Sequence, residues 1–130
     1  MNLDNKVIKK IKGLEQDSDR VVILFQDGTF LTQYHDQDCC EDVRVEQVDS
    51  CIDRFIGATC FELQEKVVEI GDAEFPRDIE SCEESCTATF YTLVTSKGRL
   101  DWRWVGESNG YYSEEVESVL VNVTEGSTGS

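Results

Sequence analysis

The 130-residue chain lacks the segments and motifs that mark several common protein classes. Its longest uninterrupted apolar run, residues 21–25, is too short for a helix that crosses a bilayer. The first residues contain no apolar stretch after a basic start, so no secretory signal is expected. His35 is the only histidine, which excludes a paired-histidine metal motif, and neither a glycine-rich phosphate loop nor a nucleophile elbow is present. These absences predict a soluble globular protein. We expect one compact domain over residues 1–123, followed by a flexible polar tail at 124–130.

Basic residues are also scarce. The chain has 12 lysines and arginines and 27 aspartates and glutamates, which gives a formal net charge of -15 at pH 7. Such a chain repels the phosphates of nucleic acids and anionic membranes, so we expect direct binding to neither. Two interpretations of the acidity remain open. It serves solubility alone, or it forms a surface that docks on a basic protein.

The six cysteines allow a disulfide framework by number, but the missing export signal favours reduced thiols in a cytosol. The adjacent pair Cys39 and Cys40 is not expected to bridge to itself, because the resulting ring is strained. The other four are Cys51, Cys60, Cys82 and Cys86.

The clearest local pattern is a β-hairpin over residues 20–35. Asp27-Gly28 is typical of a two-residue hairpin turn between apolar runs. That turn predicts the cross-strand pairs Phe25 with Phe30, Ile23 with Thr32, Val21 with Tyr34, and Arg20 with His35.

Further strands are predicted on both sides of this hairpin. They comprise an edge strand at 6–14 protected by lysines, strands at 43–48 and 60–70, and strands at 87–95 and 99–105. A short helix is expected to begin near Asp49 or Ser50 and to end near Gly57, and the acidic residues 71–84 are expected to form a loop. The fold class predicted is mainly β (α+β): a single antiparallel sheet or partly open barrel with one short helix.

Two strand pairings are predicted for the last third of the chain. A turn at Lys97-Gly98 sets Tyr91 against Trp104, Leu93 against Trp102 and Thr95 against Leu100. The following strand is expected to pair with residues 99–105, because setting Trp104 against Val116 and Leu100 against Leu120 buries the apolar face. This pairing leaves a longer loop at 106–113.

Two motifs resemble a known family. The first is Tyr34-His35-Asp36-Gln37-Asp38-Cys39-Cys40-Glu41, and the second is centred on Gly106-Glu107-Ser108-Asn109-Gly110-Tyr111-Tyr112-Ser113. Both resemble the signatures of small phage and prophage proteins that are known as a domain of unknown function. The resemblance implies a viral origin and a location in the cytoplasm of an infected or lysogenic bacterial host. It implies no activity, and the cysteines other than Cys39 and Cys40 are not part of it.

The first motif admits three interpretations. His35, Cys39 and Cys40 are candidate zinc ligands, although the usual paired-cysteine spacing is missing. A cysteine nucleophile with His35 as its base is disfavoured, because the neighbouring acids raise the pKa of a thiol. A purely structural role is the third, since Asp36 and Asp38 suit Asx turns. We expect no cofactor, with zinc as the alternative.

The second motif is typical of recognition, because tyrosines offer amphipathic faces with few rotamers to restrict. No catalytic constellation is complete, so an enzyme is not favoured. The sequence favours an acidic cytosolic protein that binds a host protein. The alternative is a small-molecule or metal-binding protein, with or without enzymatic activity, whose site lies between the 35–41 and 106–113 loops. The candidate binding residues are His35, Gln37, Asp38, Glu41, Ser108, Asn109, Tyr111 and Tyr112.

Overall fold

The chain forms one antiparallel sheet of eight strands. The computed structural model describes residues 1–35, 42–48, 52–69, 73–74, 85–108 and 114–122. Its elements are β1 (Asn2–Lys12), β2 (Arg20–Phe25), β3 (Thr29–Tyr34), β4 (Asp42–Val48), a 3-10 helix (Ile52–Phe55), β5 (Thr59–Glu69), β6 (Ser85–Thr95), β7 (Gly98–Ser108) and β8 (Glu117–Asn122). The strand order is β4-β7-β6-β5-β1-β2-β3-β8. The predicted fold class is confirmed, in the form of a sheet that is not closed into a barrel. The predicted helix is this 3-10 turn, and within the described ranges no helix is long and apolar enough to cross a membrane.

Alternating side chains give the sheet its core. Val21, Ile23 and Phe25 are buried on β2 while Val22 and Leu24 between them are partly exposed, as expected for a strand with one face packed. The same core contains Leu93 of β6 and Leu100 of β7. It also contains both tryptophans, which lie on β7, and Phe55 of the 3-10 helix. Burial of these large side chains is the main favourable contribution to folding.

One polar side chain, Gln33 of β3, lies fully buried inside this core. Its Oε1 accepts hydrogen bonds from Nε1 of Trp102, at 2.8 Å, and from Nε1 of Trp104, at 3.1 Å. Both tryptophans lie on β7, which stands far from β3 in the strand order. The sheet therefore curls until the inner faces of these two strands meet.

The hydrogen bonds of Gln33 continue into the last strand. Its Nε2 donates to Oγ of Ser118 on β8, at 3.0 Å. Ser118 in turn donates to the hydroxyl of Tyr91 at 3.4 Å, and that hydroxyl donates to Oε2 of Glu65 at 2.8 Å. One chain of polar contacts thus links β7, β3, β8, β6 and β5.

The β4 edge of the sheet is partly covered by the connection between β1 and β2. The Asp17 amide donates to the Val45 carbonyl at 2.7 Å, and the Val45 amide donates to the Ser18 carbonyl at 2.8 Å. These two bonds satisfy backbone groups of β4 on the side away from β7.

The register predicted for the first hairpin is wrong by one residue. The observed pairs include Ile23 with Leu31 and Leu24 with Phe30, in place of Ile23 with Thr32 and Phe25 with Phe30. The loop has three residues, 26–28, because Gly28 adopts a left-handed conformation with φ of 90° after a turn. A turn followed by such a glycine is the usual three-residue hairpin loop. The one-residue shift places Gln33 opposite Val21, and both side chains point into the core.

The register predicted for the second hairpin is wrong by two residues. Thr95 pairs with Gly98, Leu93 with Leu100, and Tyr91 with Trp102, so the loop is at residues 96–97. Because side chains alternate with a period of two, this shift leaves the predicted inward face unchanged. The rings of Tyr91 and Trp102 stack with centroids 5.7 Å apart.

Two predicted strand positions are also wrong. The strand that includes residues 6–12 is not an edge, since β1 lies between β5 and β2. The last strand pairs with β3, with Leu120 opposite Leu31, and not with β7. The second neighbour of β7 is β4. These placements depend on contacts between segments that are distant in sequence, which local patterns do not encode.

Replacing Gln33 by leucine is expected to destabilise the protein by about 2–5 kcal/mol, because two buried indole N–H groups lose their acceptor. Urea unfolding followed by tryptophan fluorescence measures the loss. The matched control is Gln64→Leu, at an exposed glutamine of β5, which should change stability by less than about 0.5 kcal/mol. Equal effects of the two substitutions would contradict the role assigned to Gln33.

The Asp27 carboxylate in the first hairpin loop is expected to stabilise the fold only above acidic pH. Hydrogen bonds from the Lys6 ammonium and from Thr29 lower the pKa of Asp27 from 3.8 to about 2. A lowered folded-state pKa adds stability that is present above the unfolded pKa and is lost as the pH falls. The wild type should therefore exceed Asp27→Asn in stability at pH 6, and the difference should shrink between about pH 4 and pH 2. In a Lys6→Met background the substitution should have a smaller effect, and an unchanged effect would show that Lys6 is not the main cause.

Candidate functional site

Most of the predicted site residues lie outside the part of the chain that the structure describes. His35 is described and follows β3, and Ser108 is the last residue of β7, where only the backbone is described. The remaining candidates fall outside the described residues: Gln37, Asp38, Cys39, Cys40, Glu41, Asn109, Tyr111 and Tyr112. Their binding role stays a prediction.

The two motif segments lie in connections between strands at opposite ends of the sheet. Residues 35–41 connect β3 to β4, and residues 109–116 connect β7 to β8. In the strand order, β4 and β7 stand at one end of the sheet and β3 and β8 at the other. Each connection therefore joins the same two ends of the sheet.

The described flanks of these connections are also close to one another. Tyr34 pairs with Glu117 across β3 and β8, and Asp42 pairs with Glu107 across β4 and β7. Tyr34, just before the first connection, therefore lies beside Glu117, just after the second. Asp42, just after the first connection, lies beside Glu107, near the start of the second. The two motifs are far apart in the sequence, but the fold brings the residues that flank them together at two places.

His35 links the two flanks directly. Its Nδ1 lies 2.7 Å from the backbone carbonyl oxygen of Glu115. A carbonyl oxygen only accepts, so Nδ1 carries the hydrogen in this contact. The pairing of His35 with Arg20 that the sequence predicted is wrong. Arg20 pairs with Tyr34, and its guanidinium lies 5.3 Å from the centre of that ring.

Glu114, beside this contact, is a buried acid at the end of the sheet. Only 7% of its surface is exposed, and Oγ1 of Thr87 donates to its Oε1 at 2.7 Å. Gly106 allows the close approach, because a Cβ there would lie 2.9 Å from Cβ of Glu114 and 3.0 Å from Cγ2 of Val43. Gly106 belongs to the second motif, so one of that motif's residues has a packing role.

The cysteines that the structure describes are not nucleophiles. Cys60 is fully buried, and burial raises the pKa of its thiol to about 12, which keeps it protonated at neutral pH. Cys86 is disulfide-bonded, so the prediction of reduced thiols is wrong for this residue. Within the described ranges, no three histidine, cysteine or acidic side chains are grouped so that they could hold a metal ion. The zinc hypothesis for His35, Cys39 and Cys40 stays a prediction, because both cysteines lie outside these ranges.

An open groove of about 470 Å³ lies beside β8. One wall is the continuous stretch 115–119, and the other is built from β5 and β6, with Met1 at one end. Its lining is Met1, Leu63, Glu65, Tyr91, Glu115, Val116, Glu117, Ser118 and Val119.

The groove combines negative charge with apolar surface. Glu65, Glu115 and Glu117 are exposed acids, Leu63 and Val116 are buried, and the Met1 ammonium group donates to the Leu63 carbonyl at 2.9 Å. The Tyr91 hydroxyl, which bonds to Glu65, has a raised pKa because its ring is buried, so it remains a neutral hydrogen-bonding group. Three carboxylates against one ammonium group leave the groove with an excess of negative charge, which suits a cationic ligand.

A second cavity, of about 420 Å³, lies where β4, β6 and β7 meet. Its lining is Val48, Phe90, Tyr91, Thr92, Asp101, Trp102 and Arg103. Its charged groups, Asp101 and Arg103, are of opposite sign, so this cavity has no charge preference comparable to that of the groove beside β8.

The sequence did not identify the groove residues. Glu65, Glu117 and Ser118 are ordinary polar residues of strands, and only the curl of the sheet brings them together. Gln33 carried a usable signal, as a polar residue two positions from the apolar Leu31 in a strand. The incorrect hairpin register hid that signal, because it placed the two residues on the wrong face.

Comparison with protein families gives one match. Residues 2–118 match the family described as Domain of unknown function (DUF7448). No curated protein and no solved structure matches the chain.

Thiol titration is expected to separate the described cysteines. Cys60 should be unreactive toward an aromatic disulfide reagent in the native protein at pH 8 and reactive after unfolding, because it is buried and protonated. Cys60→Ser should lower the count of reactive thiols by one in denaturant and leave the native count unchanged. Because Cys86 is disulfide-bonded, the unreduced, unfolded wild type should expose at most four of the six thiols. A count of six would contradict the disulfide.

Proposed function

The chain belongs to this family of unknown function, and we propose that it is an acidic protein that binds a basic protein of its host. The groove beside β8 is the single observation that carries this proposal. It carries three carboxylates against the single ammonium group of Met1, and this excess of negative charge attracts a lysine or arginine side chain.

The charge of the whole chain supports the same partner. A net charge of -15 produces a negative potential around the protein that attracts basic surfaces and speeds their encounter. Among the described residues, exposed acids also lie away from the groove, for example Glu15 between β1 and β2, Asp53 in the 3-10 helix and Glu62 on β5. Long-range attraction therefore brings the partner to the protein, and the groove supplies the local contacts.

The setting is proposed from the two motifs. Their resemblance to small phage and prophage proteins supports a viral origin and a site of action in the bacterial cytoplasm. The disulfide of Cys86 is uncommon in a cytosolic protein. The thiol count measured on protein from that compartment therefore bears on the proposed location.

A second candidate function is the binding of a small molecule or a metal ion between the two motif connections. The contact of His35 with Glu115, together with the two flank pairings, favours it, because these bring the ends of both motifs to one place. Elemental analysis and mass spectrometry of the purified protein test this candidate. A stoichiometric ion or co-purified ligand would favour it over the binding of a basic protein.

The proposed function predicts capture that depends on salt. The purified chain, immobilised and exposed to nuclease-treated bacterial lysate, should retain basic proteins at 50 mM salt and lose most of them at 500 mM, because screening weakens attraction between exposed charges. The captured proteins are identified by mass spectrometry, and the strongest is purified for calorimetry with the chain.

The control is an immobilised acidic protein of similar size and charge but unrelated fold. A captured set that is the same for both proteins would show ion exchange without recognition and would contradict the proposal. Retention that does not change with salt, or no enrichment of basic proteins, would also contradict it.

A further inference from the structure

We infer that the basic partner contributes an extended segment that adds as a further strand to the edge of β8 that pairs with no described strand, with its lysine or arginine side chains in the adjoining groove. The inference rests on the proposed function and specifies how the partner is recognised. Adding a strand to a sheet edge is a common mode of peptide recognition, in which main-chain hydrogen bonds give affinity and side-chain pockets give specificity.

The edge of β8 is the first observation. β8 ends the strand order, and on one side it pairs with β3 over its whole length. In the described part of the chain, no backbone group bonds to its other side. The opposite edge, β4, differs in this respect, because Asp17 and Ser18 bond to Val45.

The one charged side chain of β8, Glu117, protects this edge against acidic strands but not against basic ones. Natural sheets commonly block exposed edges with lysine, proline or an irregular strand. β8 contains neither lysine nor proline, and its pairing with β3 has no irregularity. Val119 and Leu120 are 39% and 37% exposed, which leaves apolar surface available on both faces of the strand. These are the properties of an edge that accepts another strand.

The groove is the second, independent observation. It runs along residues 115–119, so it follows the chain of β8 and the residues that lead into it. Glu115 and Glu117 are two positions apart, and Glu65 stands on the facing wall. Side chains of an added strand alternate with the same period of two. Basic residues on one face of the added strand would therefore follow Glu115 and Glu117, and those on the other face would lie toward Ser118 and Glu65, since neighbouring side chains of β8 point to opposite faces.

Charge decides between a basic partner and a second copy of this chain. Two copies paired through β8 would bring Glu115 and Glu117 of each near the same groove, and each copy carries a net charge of -15. Like charges in such proximity oppose association. A basic segment makes the opposite contribution at every one of these positions.

The test uses a defined peptide, acetyl-Lys-Val-Lys-Val-Lys-Val-Lys-amide, with a fluorescent label. Its binding to the full chain is measured by anisotropy at 50 mM salt. A groove variant, Glu65→Gln with Glu115→Gln and Glu117→Gln, is compared with a control variant, Glu15→Gln with Asp19→Asn and Asp53→Asn. All six are exposed acids, each variant removes three negative charges, and glutamine at position 65 keeps a side-chain oxygen that can accept from the Tyr91 hydroxyl.

Two further peptides test the main-chain hydrogen bonds. One carries N-methyl groups on the valine amides and the other on the lysine amides, so each keeps the full charge but loses the donors along one edge of the strand. Amide hydrogen exchange of residues 117–122, with and without the unmodified peptide, locates the contact on β8.

The wild type is expected to bind the unmodified peptide, and the groove variant to bind on the order of tenfold more weakly, since the exposed carboxylates on both faces of the edge are removed. The control variant should stay within about threefold of the wild type, because distant exposed charges act only through screened attraction. One N-methylated peptide should lose binding, and exchange should slow in residues 117–122.

Several outcomes would overturn the inference. They are no binding of the peptide, equal weakening by both triple variants, or equal binding of all three peptides. In these cases salt-sensitive capture of a basic protein would persist, so the proposed function would stand without this edge. A dimer in sedimentation that excludes the peptide would assign the edge to a second copy instead. Loss of the capture itself would contradict the proposed function as well.

Discussion

The buried amide of Gln33 is the interaction on which the curl of the sheet depends. A strand buried in a core ordinarily presents apolar side chains, and a polar one is stable there only when its hydrogen bonds are made. Gln33 meets this condition by accepting from Trp102 and Trp104 and by donating to Ser118. Since these partners lie on β7 and β8, the amide is satisfied only when distant strands come together. Packing alone would allow many curvatures, whereas this set of hydrogen bonds specifies one.

The same constraint connects the core with the candidate site. Ser118 bonds to Gln33 on one side and to Tyr91 on the other, and both Ser118 and Tyr91 line the groove. The wall formed by β8 is thereby held at a defined distance from the wall formed by β5 and β6. The groove is thus a product of the core, and Glu65 and Glu117 are positioned by strands, whereas Glu115 lies in the connection that leads into β8. Sites built on strands keep their geometry better than sites built on loops.

The sequence predicted the positions of the strands better than it predicted which strands pair with each other. Alternation and turn residues located the strands around Ile23, Leu93 and Val45, because these signals are local. The predicted register of the first hairpin was wrong because Gly28 permits a three-residue loop. The dipeptide Asp27-Gly28 alone does not show whether the loop has two residues or three. The predicted partner of β8 was wrong because β7, the nearest apolar strand in sequence, is not its neighbour in space. For the site, the motifs drew attention to His35, whereas Glu65 and Glu117 became visible only once the sheet was assembled.

The central position of β1 has a consequence for the order in which the chain is made. Its two neighbours are β2, which follows at once, and β5, which begins at Thr59. While residues 13–58 leave the ribosome, β1 has a partner on one side only, and its second edge is open to other chains. Lys9, Lys10 and Lys12 are exposed along this strand, and like charges there disfavour pairing between two nascent copies. The lysines that suggest an edge strand thus suit the unfinished sheet, in which β1 is an edge until β5 arrives.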